Sequence, residues 1–94
     1  MRISWTALAV SHLRSGYEYI AEDNPKAADT ILERTFSAVE FLEKHPLLGR
    51  PGRVEGTREL VVLGTPFIVA YRQLRGRVEI LAVLHAARKW PEQF

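Results

Sequence analysis

The fold is decided by residues 67–84, which read FIVAYRQLRGRVEILAVL. Two runs rich in β-branched and aromatic residues flank the pair Arg75-Gly76, which is typical of two antiparallel strands joined by a two-residue turn. Such a turn also fixes which residues face each other. The predicted pairs are Arg72 with Glu79, Tyr71 with Ile80, Ala70 with Leu81, and Ile68 with Val83. A three-residue turn would shift these pairs but keep the alternation within each strand.

Side chains of this hairpin alternate between two faces. One predicted face is apolar and suits a core, with Phe67, Val69, Tyr71, Val78, Ile80, Ala82 and Leu84. The other is apolar with an ion pair and an imidazole at its margins, and contains Ile68, Ala70, Arg72, Glu79, Leu81, Val83 and His85. Because a large apolar surface is costly in water, the second face requires a cover or a ligand.

Upstream of the hairpin, the apolar residues recur at helical spacing. Thr6 is a suitable cap for a first helix of about fifteen residues. Asp23-Asn24-Pro25 ends that helix and starts a second one, because asparagine caps helices well and proline fits the first helical position. His45-Pro46 ends the second helix. A turn this short predicts an antiparallel helical hairpin.

The remaining segments complete the predicted architecture. Residues 2–5 indicate a short N-terminal strand, and Glu59–Val62 a strand before the hairpin. A loop dense in proline and glycine separates the helices from the strands. We therefore expect an α+β fold in a single domain, residues 1–94. Its order is a short N-terminal strand, an antiparallel helical hairpin and a three-stranded antiparallel sheet.

Composition excludes several classes of protein. The chain has 94 residues and no cysteine, so no disulfide and no thiolate zinc site can form. The three histidines, His12, His45 and His85, are scattered along the sequence. No run approaches the roughly 20 apolar residues of a membrane span. We expect no metal, no cofactor and no membrane partner, and a cytoplasmic location, which the absence of cysteine fits.

The formal net charge of +2 hides an asymmetry. Residues 1–49 contain five basic and seven acidic side chains, whereas residues 50–94 contain eight basic and four acidic ones. Seven of the eight late cations are arginine, whose planar fork suits phosphate and carboxylate. The second half is therefore where an acidic partner would dock, unless these arginines are simply solvated strand ends.

Chemical candidates are confined to cationic or titratable residues on or beside the strands, namely Arg58, Arg72, His85, Arg88 and Lys89. Grouped cations could hold RNA phosphates, and an imidazole could move a proton during 2′-hydroxyl attack. The structural alternatives are a cross-strand ion pair for Arg72 and a strand-end role for His85. His12 and His45 are interpreted as helix-surface or helix-end residues. Trp5 and Trp90 are expected to close the two ends of the core.

Six segments, in this order and spacing, carry a resemblance to a known family. They are Asp23-Asn24-Pro25, residues 45–52 (HPLLGRPG), residues 58–62 (RELVV), residues 66–72 (PFIVAYR), residues 78–85 (VEILAVLH) and residues 86–91 (AARKWP). Together they cover nearly the whole chain and resemble the ParE/RelE superfamily of toxins from bacterial type II toxin–antitoxin systems. The resemblance implies a growth-inhibiting toxin that an antitoxin neutralises by wrapping it.

Two branches of that superfamily act differently. ParE-like members poison DNA gyrase by binding it, whereas RelE-like members are enzymes that cleave mRNA on the ribosome. The long helical hairpin and the ending of residues 83–91 (VLHAARKWP) are more similar to the ParE branch. In the RelE alternative, Arg58 and Arg72 would bind phosphate and His85 would transfer protons. The C-terminal residues 90–94 (WPEQF) lack the tyrosine that nuclease members often carry.

The resemblance also implies binding sites for protein partners. The expected partners are a cognate antitoxin, in a hetero-oligomer, and DNA gyrase, or the ribosome and mRNA in the alternative. Candidate target-binding residues are Arg50, Arg53, Arg58, Arg72, Arg88 and Lys89. We expect the antitoxin to cover the second sheet face, at Ile68, Ala70, Leu81 and Val83, or the groove beside the helices.

Overall fold

The computed structural model describes residues 1–86 of the chain. Its elements follow in the order β1 (Arg2–Trp5), α1 (Ala7–Asp23), α2 (Pro25–Phe41), β2 (Arg50–Pro51), β3 (Arg58–Val61), β4 (Phe67–Leu74) and β5 (Arg77–His85). The five strands form one sheet in the order β1-β5-β4-β3-β2. Strand β1 runs parallel to β5, and the other neighbouring pairs are antiparallel. Arg88, Lys89 and Trp90 lie outside the described residues.

Both helices begin where the capping residues predict. The Thr6 hydroxyl accepts a hydrogen bond from the Ala9 backbone N–H at 3.1 Å. The Asn24 side chain accepts one from Ala27 N–H at 3.0 Å, and Pro25 opens α2. These bonds satisfy N–H groups that the first turn of a helix leaves without a partner. The predicted helical hairpin is confirmed.

The prediction of a three-stranded antiparallel sheet is wrong in two respects. Strand β1 adds a parallel edge, with Ile3 opposite Val78 and Trp5 opposite Ile80. The two-residue strand β2 adds the other edge, opposite Arg58 and Glu59. The first addition joins segments far apart in sequence, and the second lies in a loop dense in proline and glycine. Neither β1 nor β2 is joined to its partner strand by a turn sequence from which the pairing could be predicted.

A bulge in β5 changes the predicted register of the hairpin. From the turn, Arg72 pairs with Glu79 and Tyr71 with Ile80, as expected. Beyond Tyr71 the pairs are Ala70 with Ala82 and Ile68 with Leu84, so the predicted partners Leu81 and Val83 are wrong by one residue. Leu81 is the extra residue. Every side chain of β5 after Leu81 therefore lies on the sheet face opposite to the predicted one.

The start of α1 satisfies the backbone of β5 around this bulge. The Thr6 backbone N–H donates to Ile80 O at 3.0 Å, and its hydroxyl donates to Leu81 O at 3.0 Å. Nearly two turns further along α1, Nδ1 of His12 accepts a hydrogen bond from the Val83 N–H at 3.2 Å. His12 therefore joins α1 to the sheet, which corrects its interpretation as a helix-surface residue. Burial lowers the pKa of His12 below its ordinary value.

The main core lies between the helices and one face of the sheet. It is formed by Ala9, Leu13, Val39, Leu42, Val62, Phe67, Val69, Tyr71, Val78, Ile80 and Val83, with Ile3 and Trp5 packed against it. Gly16 lets α1 approach this face, since a Cβ there would lie 2.6 Å from the Phe67 ring. A smaller cluster of Ala70, Ala82 and Leu84 occupies the opposite face. The bulge thus moves Val83 to the helix side, and Ala82 and Leu84 away from it.

Candidate functional site

The three candidate nuclease residues do not share one face of the sheet. Arg58, opposite Tyr71, and His85, opposite Phe67, lie on the helix side, whereas Arg72 lies on the other face. Arg72 is on the face opposite the helices, where its Nε donates to Glu79 at 2.7 Å. His85 pairs with Phe67 and packs edge-on against the Phe67 ring, 6.5 Å between centroids, on the helix side. The prediction that Arg72 and His85 share a face is wrong, because the bulge at Leu81 reverses the end of β5.

The third candidate, Arg58, is engaged by the loop before β2. Its Nη1 donates to Gly49 O at 2.8 Å and to Leu47 O at 3.5 Å. The buried Tyr71 hydroxyl holds the same loop by donating to Pro46 O and accepting from Gly49 N–H, both at 2.8 Å. Burial raises the pKa of Tyr71 above its ordinary value. Arg58 therefore supports the loop between α2 and β3.

Glu59 fixes the next part of that loop. Its side chain is only 4% exposed, and it accepts a hydrogen bond from Arg53 N–H at 2.8 Å. Its other oxygen accepts one from Nη2 of Arg50 at 3.3 Å. A buried carboxylate is stable only with such partners. Of the predicted target-binding arginines, Arg50 helps to hold the loop through its side chain and Arg53 through its backbone N–H.

An open apolar groove of about 770 Å³ lies between α2 and β3. Its lining includes Ala38, Leu60 and Val62, and four exposed apolar residues, Phe41, Leu48, Val61 and Leu63. Leu63 is 81% exposed and Phe41 56%. Sequence reasoning did not identify these residues, although the apolar pair of residues 47–48 in a loop and the unbroken apolar run of residues 60–63 were available signals.

Charged residues mark both ends of the groove. Arg50 lies beside the start of β3. At the other end, Arg34 of α2 lies against the turn after β3, where a Cβ on Gly64 would collide with its guanidinium. Within residues 1–86, β2 pairs with only the first two residues of β3, so the second half of β3 is a sheet edge. The groove combines an apolar lining with two arginines, two glutamates, Glu33 and Glu59, and an edge strand.

The second sheet face is largely buried in the structure. Ala70 and Ala82 are fully buried, Ile68 is 7% exposed and Leu84 9%. Of the predicted antitoxin-binding residues, Ile68 and Ala70 lie on this face, Val83 belongs to the main core and Leu81 lies at the bulge. The expectation of an exposed apolar strand face is therefore wrong. Four exposed apolar residues, Phe41, Leu48, Val61 and Leu63, lie instead along the groove.

Among residues 1–86, no cluster of three or more histidine, aspartate or glutamate side chains could hold a metal ion. Over the same range, no helix is both long and apolar enough to cross a membrane. Arg88 and Lys89, the two remaining target-binding candidates, lie outside this range.

Comparison with known proteins identifies the relatives of this chain. The model of the ParE toxin family, from the parDE type II toxin–antitoxin system, matches residues 3–90. Y4kP of Sinorhizobium fredii, named as a toxin, is 45% identical over 91 residues, which cover 97% of this chain and 94% of Y4kP. Toxin RelE2 of Caulobacter vibrioides is 33% identical over 87 residues, covering 93% and 97% of the two chains.

Solved structures have the same architecture. A chain of the chromosomal ParDE toxin–antitoxin system from P. aeruginosa superposes with a TM-score of 0.83 at 25% identity, covering 90% of this chain and 95% of that one. The YoeB/ParE toxin from Agrobacterium tumefaciens shares the fold, with a TM-score of 0.59 at 15% identity and coverage of 90% and 98%. From the family match, the relatives and the fold, we conclude that this chain belongs to the ParE toxin family of type II toxin–antitoxin systems, which implies a cognate antitoxin as its partner.

Proposed function

We propose that this toxin acts by binding DNA gyrase and is not itself an enzyme. The observation that carries the proposal is the placement of Arg58 and His85 on one face of the sheet and of Arg72 on the other. One supports a loop, one is ion-paired on the face opposite the helices, and one packs on the helix side. Acid–base catalysis requires the participating groups within hydrogen-bond reach of one substrate. The family match to ParE toxins also supports this choice.

A gyrase supercoiling assay tests the proposal. Relaxed plasmid, gyrase and ATP are incubated with increasing amounts of the purified toxin, and the topoisomers are separated on a gel. We expect supercoiling to be lost as toxin is added. A topoisomerase that relaxes DNA without ATP serves as the control and should keep its activity. Unchanged supercoiling at a large molar excess of toxin would contradict gyrase as the target.

The alternative is ribosome-dependent cleavage of mRNA. The specific observation in its favour is the 33% identity to the protein named toxin RelE2. In a translating extract, this activity would produce new 5′ ends on the mRNA. Arg72→Ala and His85→Ala variants should then lose the cleavage. New ends produced equally by both variants would remove these two residues from the reaction, and the absence of new ends with the native toxin would remove the alternative itself.

For the antitoxin, we propose the groove between α2 and β3 as the docking site. Its apolar lining is exposed in the free chain, which is unfavourable until a partner covers it. Arg50 is already bound to Glu59, whereas Arg34 favours a segment that carries a carboxylate beside its apolar side chains. The unpaired second half of β3 could also accept an added strand. A segment of that kind would hold toxin and antitoxin together as a hetero-oligomer.

Hydrogen exchange of the toxin, free and with its antitoxin, tests this placement. We expect new protection at residues 60–63 and in the part of α2 that lines the groove. The opposite edge of the sheet, β1, serves as an internal control and should keep its exchange rates. Protection confined to β1, or to the hairpin turn between β4 and β5, would place the antitoxin elsewhere.

A further inference from the structure

Four exposed arginines gather where the β4–β5 hairpin turns, beside the start of β1. We call this group, Arg2, Arg72, Arg75 and Arg77, the arginine end. Arg2 pairs with Arg77 across the parallel strands, and its backbone N–H donates to Gly76 O at 3.3 Å. By strand register, Arg2, Arg72 and Arg77 all lie on the sheet face opposite the helices, and Arg75 occupies the turn.

The positive charge of the arginine end is poorly compensated. Glu79 is the carboxylate within it, and it binds both Arg72 at 2.7 Å and Arg77 at 3.8 Å. Within residues 1–86, neither Arg2 nor Arg75 has an ion-pair partner. Four arginines and one glutamate leave a formal charge of +3. Arg2 and Arg77 lie directly opposite each other in the ladder. Like charges in that position repel each other, so the arrangement costs stability in the free chain.

The arginines also keep donors available for a ligand. A guanidinium has five N–H donors. The bond from Arg72 to Glu79 uses its Nε, and the side chains of Arg72 and Arg77 are each 47% exposed. Arginine forks of this kind bind the oxygens of phosphate groups in pairs.

We propose that the arginine end binds the backbone phosphates of a nucleic acid. An acidic protein is the competing class of ligand, but protein interfaces need an apolar centre. The exposed neighbours here are Met1, Gln73 and Gly76, and Leu74 is half-buried, so apolar surface at this end is limited to one exposed side chain and part of another, whereas the groove exposes four apolar side chains. Interfaces with nucleic acids are polar and strongly positive. This inference does not depend on gyrase as the target.

Salt-dependent binding tests the proposal. Fluorescence anisotropy of a labelled DNA duplex of about 20 base pairs is measured with the full chain at about 50 and 200 mM salt. Neutralising about three phosphates predicts a loss of affinity of about 40-fold between these concentrations. In the triple variant R2Q/R75Q/R77Q, which keeps the Arg72–Glu79 pair, we expect a loss of no more than about threefold. The triple variant should unfold at the temperature of the native chain or slightly above it, because the replaced side chains are exposed and the repulsion between Arg2 and Arg77 is removed.

The control variant R14Q/K26Q/K44Q removes the same charge from exposed positions in or next to the helices. It should keep the salt dependence of the native chain, and an equal reduction in both triple variants would overturn the proposal. A labelled RNA strand with the same number of phosphates forms a second arm. Tighter binding of the duplex assigns DNA, and tighter binding of the strand assigns RNA. Displacement of the duplex by polyglutamate as effectively as by unlabelled DNA would instead assign an acidic protein.

Discussion

The groove and the arginine end show two ways in which a small sheet can present a binding surface. The groove lies at the β3 edge beside α2 and exposes Phe41, Leu48, Val61 and Leu63. The arginine end lies where β4, β5 and β1 meet, and exposes guanidinium groups. The first exposes apolar area that a partner can remove from water, and the second exposes charge that a polyanion can neutralise.

Each surface contains one glutamate bound to arginine, and the two glutamates differ in burial. Glu59, beside the groove, is 4% exposed and is also bound to the loop backbone. Glu79, at the arginine end, has a side chain that is 17% exposed, and its two arginines are half-exposed. The same pair of residue types therefore stabilises a loop at one site and moderates a positive charge at the other. Replacing each glutamate by glutamine separates these two roles.

The largest effect is expected at the groove. The variant V61K/L63E places charges on its apolar rim and should weaken antitoxin binding by about 100-fold. Each substitution removes an apolar contact with the antitoxin and places a charge where the bound antitoxin would bury it. Calorimetry with the cognate antitoxin measures the change. The control L8E/V10K alters two apolar residues of α1 with 44% and 42% exposure and should bind as the native chain does. Equal weakening in both variants would count against the groove.

The next largest effect is on stability and compares the two glutamates. Glu59→Gln should lower the free energy of unfolding by about 1–3 kcal/mol, because a buried charge-assisted network loses its carboxylate. Glu79→Gln should lower it by less than about 1 kcal/mol, as expected for a pair that solvent screens. Urea unfolding of the two variants gives both values. Equal losses would mean that the difference in burial does not determine the strength of these bonds.

A smaller effect concerns pH and the contact between α1 and β5, which belongs to neither surface. His12 accepts a hydrogen bond from Val83 only when Nδ1 is unprotonated, and burial lowers the pKa of His12. The unfolded chain therefore takes up the proton first, so this contribution to stability is complete above about pH 6.5 and falls as the pH decreases. Urea unfolding at about pH 7.5 and pH 5.5 measures the loss.

The variant His12→Gln keeps an acceptor for Val83 N–H but does not titrate in this range. It should lose less stability on acidification than the native chain. Because the variant keeps His45 and His85, the difference gives the contribution of His12 alone. A native chain and variant with identical pH dependence would remove His12 from this role. Since His12 lies in neither surface, acid should not affect one surface more than the other.

The smallest effect is an increase in affinity at the arginine end. Glu79→Gln removes the carboxylate that offsets the arginines, so the salt dependence of duplex binding should steepen by about one phosphate equivalent. At low salt, the affinity should rise a few-fold. An unchanged or shallower dependence would mean that Glu79 does not moderate this surface.

Local signals predicted much of this fold. Thr6 and Asn24-Pro25 mark both helix starts, because capping depends on neighbouring residues alone. The pair Arg75-Gly76 gave the correct register as far as Tyr71 and Ile80. The extra residue Leu81 could not be predicted, since its backbone is satisfied by Thr6 of another element. For the same reason, the face of His85 was predicted wrongly.

The candidate site was less predictable than the fold. Charge counting located the arginines in the second half of the chain but could not distinguish those that bind the loop from those that remain available. Arg50 and Arg58 are engaged through Glu59 and Gly49, whereas Arg75 and Arg77 lie at an exposed turn. The groove requires α2 and β3 to lie side by side, and no periodicity within either segment specifies that arrangement.

The parallel pairing of β1 with β5 has a consequence for the synthesis of this toxin. Thr6 bonds to Leu81, 75 residues later in the chain, and Ile3 and Trp5 pair with residues of β5. During translation, the first strand emerges long before its partner exists, and contacts of such sequence separation form slowly. The ribosome must release nearly the whole chain before the sheet can close. An antitoxin already present in the cell therefore has time to meet the toxin while its folding is still incomplete.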